Sequence, residues 1–198
     1  MDTGDTSLTK LPERSALISD AYQEQQRIMH EAGPYGTASI SYAPIVSEVI
    51  NRMEVLHLLD YGCGAACNLS KHLKVNHKLT YQAYDPGVER FSKPPAPAEM
   101  VACIDVLEHI EPDKLDTVLD HLQSLTEVIL FASICTAPAR KHLPDGRNAH
   151  LIVEPLSWWL PKLWDRFQLQ TMQFINPVSF CVVALAKGQL ESIDGEML

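Results

Sequence analysis

A glycine-containing turn follows a short apolar run near residue 60. Small residues in this turn let the backbone pass close to a bound molecule, and the helical pattern over 65–74 would present free N–H groups to the same molecule. A tight strand-to-helix turn without a ligand has the same pattern, so the glycines alone indicate a site only weakly. The residues of the turn are Asp60, Tyr61, Gly62, Cys63 and Gly64.

A second acidic residue stands at the end of the next apolar run. The run LTYQAYD ends in Asp85 and is followed by Pro86 and a turn. An acidic side chain at this place in a parallel sheet accepts hydrogen bonds from both hydroxyls of a ribose. The two strand ends together therefore indicate a cofactor that contains a nucleoside.

Details of the turn distinguish between two such cofactors. A dinucleotide fingerprint requires G-x-G-x-x-G/A, but here the last of these positions is Cys67. Asp60 would be unfavourable beside a pyrophosphate and favourable beside an amino group. These features favour S-adenosylmethionine over NAD, and an NAD-dependent oxidoreductase is kept as the weaker alternative.

Two histidines are candidates for removing a proton from an acceptor hydroxyl, namely His109 in the run DVLEHI and His150 in a later loop. The same loop gathers basic residues in an otherwise acidic chain, which suits either an anionic acceptor, such as a phosphorylated, carboxylated or sugar-acid compound, or a solvated polar loop. An aromatic residue beyond the loop is suited to stacking on a ring or to packing in the core. The candidate substrate-binding residues are Arg140, Lys141, Arg147 and Trp158.

The elements that must position these residues alternate along the chain. Strands are predicted over 55–62, 79–87, 100–106 and 127–134, and helices over 12–31, 44–53, 65–74, 112–125 and 155–167, before an antiparallel hairpin of LQTMQFIN and SFCVVALA. This order predicts an α/β fold with an open, mostly parallel sheet. Ligands of such sheets bind at the carboxyl ends of the strands, where the candidate residues lie.

Composition excludes several classes of function. The 198 residues suit one domain, and a formal net charge of −9 with a pI near 5.3 opposes binding of bulk nucleic acid or of an anionic membrane. No apolar run approaches the roughly 18 residues of a membrane span. The five cysteines form no CxxC pair, so we expect reduced thiols, no structural zinc and a cytoplasmic location.

The motifs LLDYGCGAA and MVACIDVLEHI, with the strand end at Asp85 between them, resemble the class I S-adenosylmethionine-dependent methyltransferases over about residues 55–186. The DVLEH motif is typical of the small-molecule and RNA or lipid O-methyltransferase branches. The resemblance implies a Rossmann-like fold with S-adenosylmethionine as cofactor. It places the turn 60–64 along the methionine part, Asp85 at the ribose hydroxyls, and Asp105 and Val106 near the sulfonium.

One departure from the family concerns the edge of the sheet. Only the segment 86–99 separates Asp85 from the next strand, which is too short for the family's third strand and its helices. We therefore expect six strands instead of seven. Because the missing segment usually supplies part of the adenine pocket, the adenine contacts stay open, with Phe91 and Cys103 as candidates.

The pattern Asp105-x-x-Glu108-His109 with a later His150 also resembles the metal site of small-RNA 2′-O-methyltransferases, which has E-x-x-E-H and a later histidine. This resemblance implies Glu108 and His109 as ligands of Mg²⁺ or a similar ion that lowers the pKa of the acceptor hydroxyl. In relatives without a metal the Glu-His pair caps the following helix, so both interpretations stay open.

The sequence thus predicts one methyltransferase domain over 11–187, with an N-terminal helical cap at 11–54 and a Rossmann-like core at 55–187. Residues 1–10 are expected to be flexible and 188–198 to form an acidic tail. The predicted reaction is methyl transfer to an oxygen or nitrogen of a small-molecule or glycan-like acceptor. The alternative from another class is a non-catalytic module or partner subunit that binds S-adenosylmethionine or S-adenosylhomocysteine. The motifs of DNA amino-methyltransferases and cytosine-C5 enzymes are absent from the sequence.

Overall fold

A six-stranded sheet forms the centre of the computed structural model, which describes residues 12–33 and 36–187. The expectations for 1–10 and for 188–198 lie outside the described residues. The strands are β1 (His57–Tyr61), β2 (Thr80–Tyr84), β3 (Ala98–Ile104), β4 (Thr126–Cys135), β5 (Phe167–Asn176) and β6 (Ser179–Ala186).

The strand order is β2-β1-β3-β4-β6-β5. The first four of these strands run parallel, β6 is antiparallel to β4, and β5 completes an antiparallel hairpin with β6. This arrangement confirms the predicted α/β fold, the closing hairpin and the count of six strands. Within the described chain β2 is an edge strand, and the segment after it holds only a three-residue 3-10 turn, Glu89–Phe91.

Helices cover both faces of the central part of the sheet, where β3 buries both of its rows of side chains. In β3, Met100 and Ala102 face a cluster that includes α3, whereas Val101 and Cys103 face a cluster that includes α5 and α6, and all four residues are fully buried. None of the helices in the described ranges combines the length and the apolar character needed to cross a membrane. The helices are α1 (Arg14–Leu17), α2 (Asp20–Glu31), α3 (Ala38–Arg52), α4 (Asn68–His72), α5 (Leu115–Leu125) and α6 (Leu156–Trp164).

The predicted helix over 12–31 is interrupted. Ile18 is extended, and the Ser19 side chain accepts a hydrogen bond from the backbone N–H of Tyr22, which caps α2. The carboxylate of Glu111 in turn accepts hydrogen bonds from the N–H and the hydroxyl of Ser19 at 2.8 and 2.6 Å. This tertiary contact fixes the break, which apolar spacing alone does not reveal.

Two other helices begin at residues that differ from the prediction. The helix predicted over 44–53 already starts at Ala38, so Pro44 lies inside it and not in its first turn. The helix predicted over 65–74 starts only at Asn68 and has five residues. The reason is local: Cys67 has a φ of 44°, a left-handed conformation that delays the helix. The glycine turn is therefore not followed directly by a helix N-terminus.

Gly62 allows the end of β1 to contact the residues after β3. Its φ is 76°, and a Cβ atom placed on it would lie 2.3 Å from Cγ2 of Val106. Since real Cβ atoms do not approach other atoms this closely, any side chain here would displace Val106 or the turn.

We predict that Gly62→Ala lowers the free energy of unfolding by about 2–4 kcal/mol, since the substitution combines an unfavourable positive φ with overpacking. Gly146→Ala is the matched control, because Gly146 has a φ of 89° and nothing lies within 4 Å of the place that a Cβ atom would occupy. The control should lose only about 1–2 kcal/mol. Urea denaturation of both variants measures the two losses in free energy of unfolding. Equal losses would show that contact with Val106 does not destabilise Gly62→Ala.

Candidate functional site

A cavity of about 570 Å³ lies at the carboxyl ends of the parallel strands. Its wall contains residues that follow β1, β2, β3 and β4, together with residues of α2 and of the loop between β4 and α6. Of the residues predicted for the cofactor, those that line this cavity are Tyr61, Gly62, Gly64, Asp85, Pro86, Asp105 and Val106.

Asp85 joins two turns at one end of the cavity. Its Oδ2 accepts a hydrogen bond from the N–H of Gly64 at 2.9 Å, and its Oδ1 accepts one from the N–H of Gly87 at 2.9 Å. Burial raises the pKa of Asp85, while the nearby His30 and the two N–H groups act in the opposite direction. The carboxylate thus has both oxygens anchored, and each oxygen keeps a further lone pair for a ligand hydroxyl.

Helix α2 supplies wall residues that the sequence interpretation missed. Tyr22, Gln26 and His30 line the cavity, and their spacing of four residues puts them on one helix face. Gln26 is only 9% exposed, and its Nε2 has no hydrogen-bond partner among the described residues. The recurrence of polar or aromatic residues on the buried face of an amphipathic helix was the signal that could have identified them.

Two residues of the glycine turn lie outside the cavity wall. Asp60 is 3% exposed and accepts a hydrogen bond from the Tyr81 hydroxyl. Burial raises the pKa of Asp60 to about 7, although the bond from Tyr81 lowers it. Cys63 is buried as well, and neither Phe91 nor Cys103 belongs to the cavity wall. The structure therefore brings the glycines and Asp85 together without these four side chains.

Three side chains converge at the other end of the cavity. One ligand atom from each of Asp105, His109 and His150 lies within 4.8 Å of the others, and the two rings meet edge to face with centroids 4.7 Å apart. Burial lowers the pKa of His109 to about 4, although the charge of Asp105 acts in the opposite direction. His109 is therefore neutral near pH 7.

Both rings are oriented by the main chain. His109 Nδ1 lies 2.7 Å from the carbonyl oxygen of Ala149, and His150 Nδ1 lies 2.6 Å from that of Ala137. Since a carbonyl oxygen only accepts, each Nδ1 must carry the proton that it donates. In the neutral form of each ring, the lone pair is then on Nε2.

Glu108, which the sequence grouped with His109, does not belong to this cluster. It is fully buried, and its Oε1 accepts a hydrogen bond from the N–H of Cys135 at 2.6 Å. Burial raises the pKa of Glu108 well above its usual range, and the charge of Asp105 raises it further. Its side chain thus ties the end of β4 to the turn that carries His109 and does not cap α5. The carboxylate that lies beside the two histidines is therefore that of Asp105 and not that of Glu108, which the sequence pattern implied as a metal ligand.

The basic loop divides into two parts. Arg140 and Lys141 line the cavity. Arg147 instead donates to the carboxylate of Asp145 at 2.9 and 2.7 Å, and it lies outside the wall. Trp158 is also outside the wall. It packs against the neighbouring indole at a centroid distance of 5.0 Å, which agrees with the packing alternative.

Neither a family model nor a curated protein matches the sequence. Solved structures do resemble the chain. A 1,6-didemethyltoxoflavin-N1-methyltransferase from Burkholderia thailandensis, with its acceptor and S-adenosylhomocysteine bound, has a TM-score of 0.63 at 15% identity, and the alignment covers 85% of this chain and 90% of that one. A magnesium protoporphyrin IX methyltransferase from Synechocystis with S-adenosylhomocysteine has a TM-score of 0.52 at 14% identity, covering 85% and 95%.

The N-methyltransferase NodS from Bradyrhizobium japonicum, also with S-adenosylhomocysteine, has a TM-score of 0.53 at 10% identity, covering 82% and 99%. Identities this low establish the fold and leave activity to the site itself. The chain has the fold of the class I S-adenosylmethionine-dependent methyltransferases, with the third strand of that fold absent from the described sheet.

Proposed function

We propose that the protein transfers a methyl group from S-adenosylmethionine to an oxygen or nitrogen of a small acceptor. One observation carries this proposal: a single cavity connects the anchored carboxylate of Asp85 with the cluster of Asp105, His109 and His150. Its volume of about 570 Å³ is in the range of sites that hold drug-sized ligands. A cofactor bound at the first end can therefore meet an acceptor at the second.

The end near Asp85 suits a nucleoside without a pyrophosphate. In dinucleotide sites a helix N-terminus directly after the glycine turn binds the pyrophosphate. Here the five-residue α4 begins only at Asn68, which argues against the NAD alternative. Asp85 offers a carboxylate to the ribose hydroxyls, and Gln26 offers an amide to the same end. The S-adenosylhomocysteine in the three similar structures supports this choice of cofactor.

The second end suits the chemistry of methyl transfer. The acceptor atom attacks the methyl carbon as the carbon–sulfur bond breaks, so that a proton must leave an acceptor hydroxyl or amine. His109 and His150 each hold an Nε2 lone pair that can accept this proton, and their rings are fixed through Nδ1. Asp105 and Val106 line the wall between them and the glycine turn.

The acceptor is proposed to be anionic. Arg140 and Lys141 bring positive charge to the cavity wall of a protein with a net charge of −9. Phosphorylated, carboxylated and sugar-acid compounds match this local charge.

To test the function, purified protein is incubated with methyl-tritiated S-adenosylmethionine and a metabolite extract, and the products are separated by anion exchange. We expect labelled product in the anion-retained fraction. Binding of S-adenosylhomocysteine without any labelled product would favour the non-catalytic binding module.

We predict that Asp85→Ala weakens the affinity for S-adenosylhomocysteine at least tenfold, because a hydrogen bond to a charged group contributes about 1.5–3 kcal/mol. Isothermal titration calorimetry measures the loss. Asp113→Ala is the control, since Asp113 is exposed and lies outside the cavity wall, and it should bind normally. Unchanged affinity in Asp85→Ala would remove Asp85 from the cofactor site.

Replacing Gln26 by leucine should have opposite effects on stability and on binding. The buried amide group of Gln26 lacks a partner for Nε2, so an apolar side chain of similar size should raise the melting temperature of the ligand-free protein. The same change should reduce the melting-temperature increase caused by S-adenosylhomocysteine, because the ligand loses a hydrogen-bond partner. A variant in which both values rise would exclude Gln26 from ligand binding.

We expect His150→Ala to lower methyl transfer by about 10²–10⁴-fold, the usual contribution of a positioned proton acceptor, with the affinity for S-adenosylhomocysteine unchanged. The matched control is His142→Ala, an exposed histidine of the same loop that lies outside the cavity wall. Incorporation of label into the product identified above is the measurement. Full activity in His150→Ala would exclude a role for this ring in turnover.

A further inference from the structure

We propose that Asp105, His109 and His150 bind one divalent transition-metal ion at the acceptor end of the cavity. The binding itself follows from the geometry of the three side chains. Only its use in catalysis rests on the methyl transfer proposed above.

The three donors are close enough to share one ion. Their ligand atoms lie within 4.8 Å of one another, whereas ligands around an ion at about 2.1 Å are separated by about 3–3.5 Å. The side chains therefore need to draw together by about 1 Å or a little more, which small side-chain rotations can supply. They come from the end of β3, from a 3-10 turn and from the loop after β4, so the ion would join three separate segments.

The hydrogen bonds of the two rings match those of metal-binding histidines. In such sites the ring nitrogen that does not bind the metal donates its proton to a carbonyl or carboxylate, which fixes the tautomer and the ring orientation. Here Nδ1 of His109 faces the carbonyl of Ala149 and Nδ1 of His150 faces that of Ala137. Both rings consequently present Nε2 as the ligand atom.

The backbone around the cluster is also fixed. Asp105 has a φ of 59°, an uncommon conformation for a residue other than glycine, and its N–H is held by the carbonyl and hydroxyl oxygens of Ser133 at 3.2 and 3.1 Å. Asn148 accepts hydrogen bonds from the N–H groups of Ala139 and His150, both at 2.9 Å. These contacts hold the loop in the shape that brings His150 to the other two ligands.

The donor set determines the class of ion. Two imidazole nitrogens and one carboxylate suit Zn²⁺, Fe²⁺, Co²⁺ or Mn²⁺, whereas Mg²⁺ and Ca²⁺ prefer oxygen ligands. A transition metal therefore suits this donor set better than the Mg²⁺ that one of the two interpretations of the sequence implied. Three protein ligands also leave coordination positions open, as in catalytic metal sites.

An open position facing the cavity gives the ion a role in methyl transfer. An acceptor hydroxyl bound there has a lowered pKa and releases its proton to solvent water. The resulting oxygen anion then forms the bond to the methyl carbon while the bond to sulfur breaks, which leaves S-adenosylhomocysteine and a methyl ether or ester. No oxidant or reductant is needed. In this form His109 and His150 act as ligands instead of proton acceptors.

Direct metal binding tests the proposal. Full-length protein without a histidine tag is stripped with a chelator and titrated with Co²⁺, whose visible absorption reports coordination by nitrogen and oxygen. We expect one ion per chain. Asp105→Asn and His150→Ala should each weaken Co²⁺ binding at least tenfold, whereas His142→Ala should bind like the unchanged protein. Asparagine tolerates the left-handed backbone of residue 105, and circular dichroism of each metal-free variant verifies that it is folded.

A second titration of the same protein, with S-adenosylhomocysteine, measures cofactor binding. The two titrations together distinguish failure of the metal site from failure of the proposed function. Binding of S-adenosylhomocysteine with no Co²⁺ uptake at millimolar concentration would overturn the metal site and leave methyl transfer in place. Equal Co²⁺ affinity in all variants would also overturn it, because the ion would then bind elsewhere. Co²⁺ binding that depends on residues 105 and 150, without any binding of S-adenosylhomocysteine, would support the metal site and contradict the proposed function.

Discussion

The carboxylate of Asp85 makes the hydrogen bonds on which its end of the cavity depends. It joins the turn after β1 to the turn after β2, at an edge of the described sheet where no further strand gives support. The N–H groups of Gly62 and Cys63 add hydrogen bonds to the carbonyl of Tyr84 at 2.7 and 3.1 Å. Helix α2 packs against these turns and brings His30 towards the carboxylate.

The features that follow from burial could be predicted from the sequence. A strand buried on both faces must be apolar throughout, and β3 and β4 are recognisable for that reason. The alternation of strands and helices then predicts that the first four strands are parallel, and the carboxyl-end rule places Asp85 and Asp105 at the same edge of the sheet. The missing strand was predictable because the distance along the chain between two recognised strands limits what can lie between them.

The features that depend on single backbone angles or on tertiary contacts could not be predicted. The positive φ of Cys67 delays α4, and no periodicity marks it. The positive φ of Asp105 brings its side chain to the two histidines, whereas the next turn directs Glu108 towards the N–H of Cys135. Gln26 reaches the cavity only because α2 packs against the turn after β2, where its side chain lies beside Gly87. In each case the relevant information lies in the packing of segments distant in sequence.

Because carbonyl oxygens orient both imidazoles, the protein can tolerate substitutions at the residues that carry these carbonyls. A carbonyl belongs to every residue type, so the half-buried Ala137 can be replaced without removing the group that orients His150. The fully buried Ala149 can change only to residues that fit its site, but its carbonyl would persist in any of them. The side chains of this loop can therefore change while the two rings keep their directions. The chemistry of the cavity wall and the directions of the two imidazoles are thus separately adjustable within one short segment.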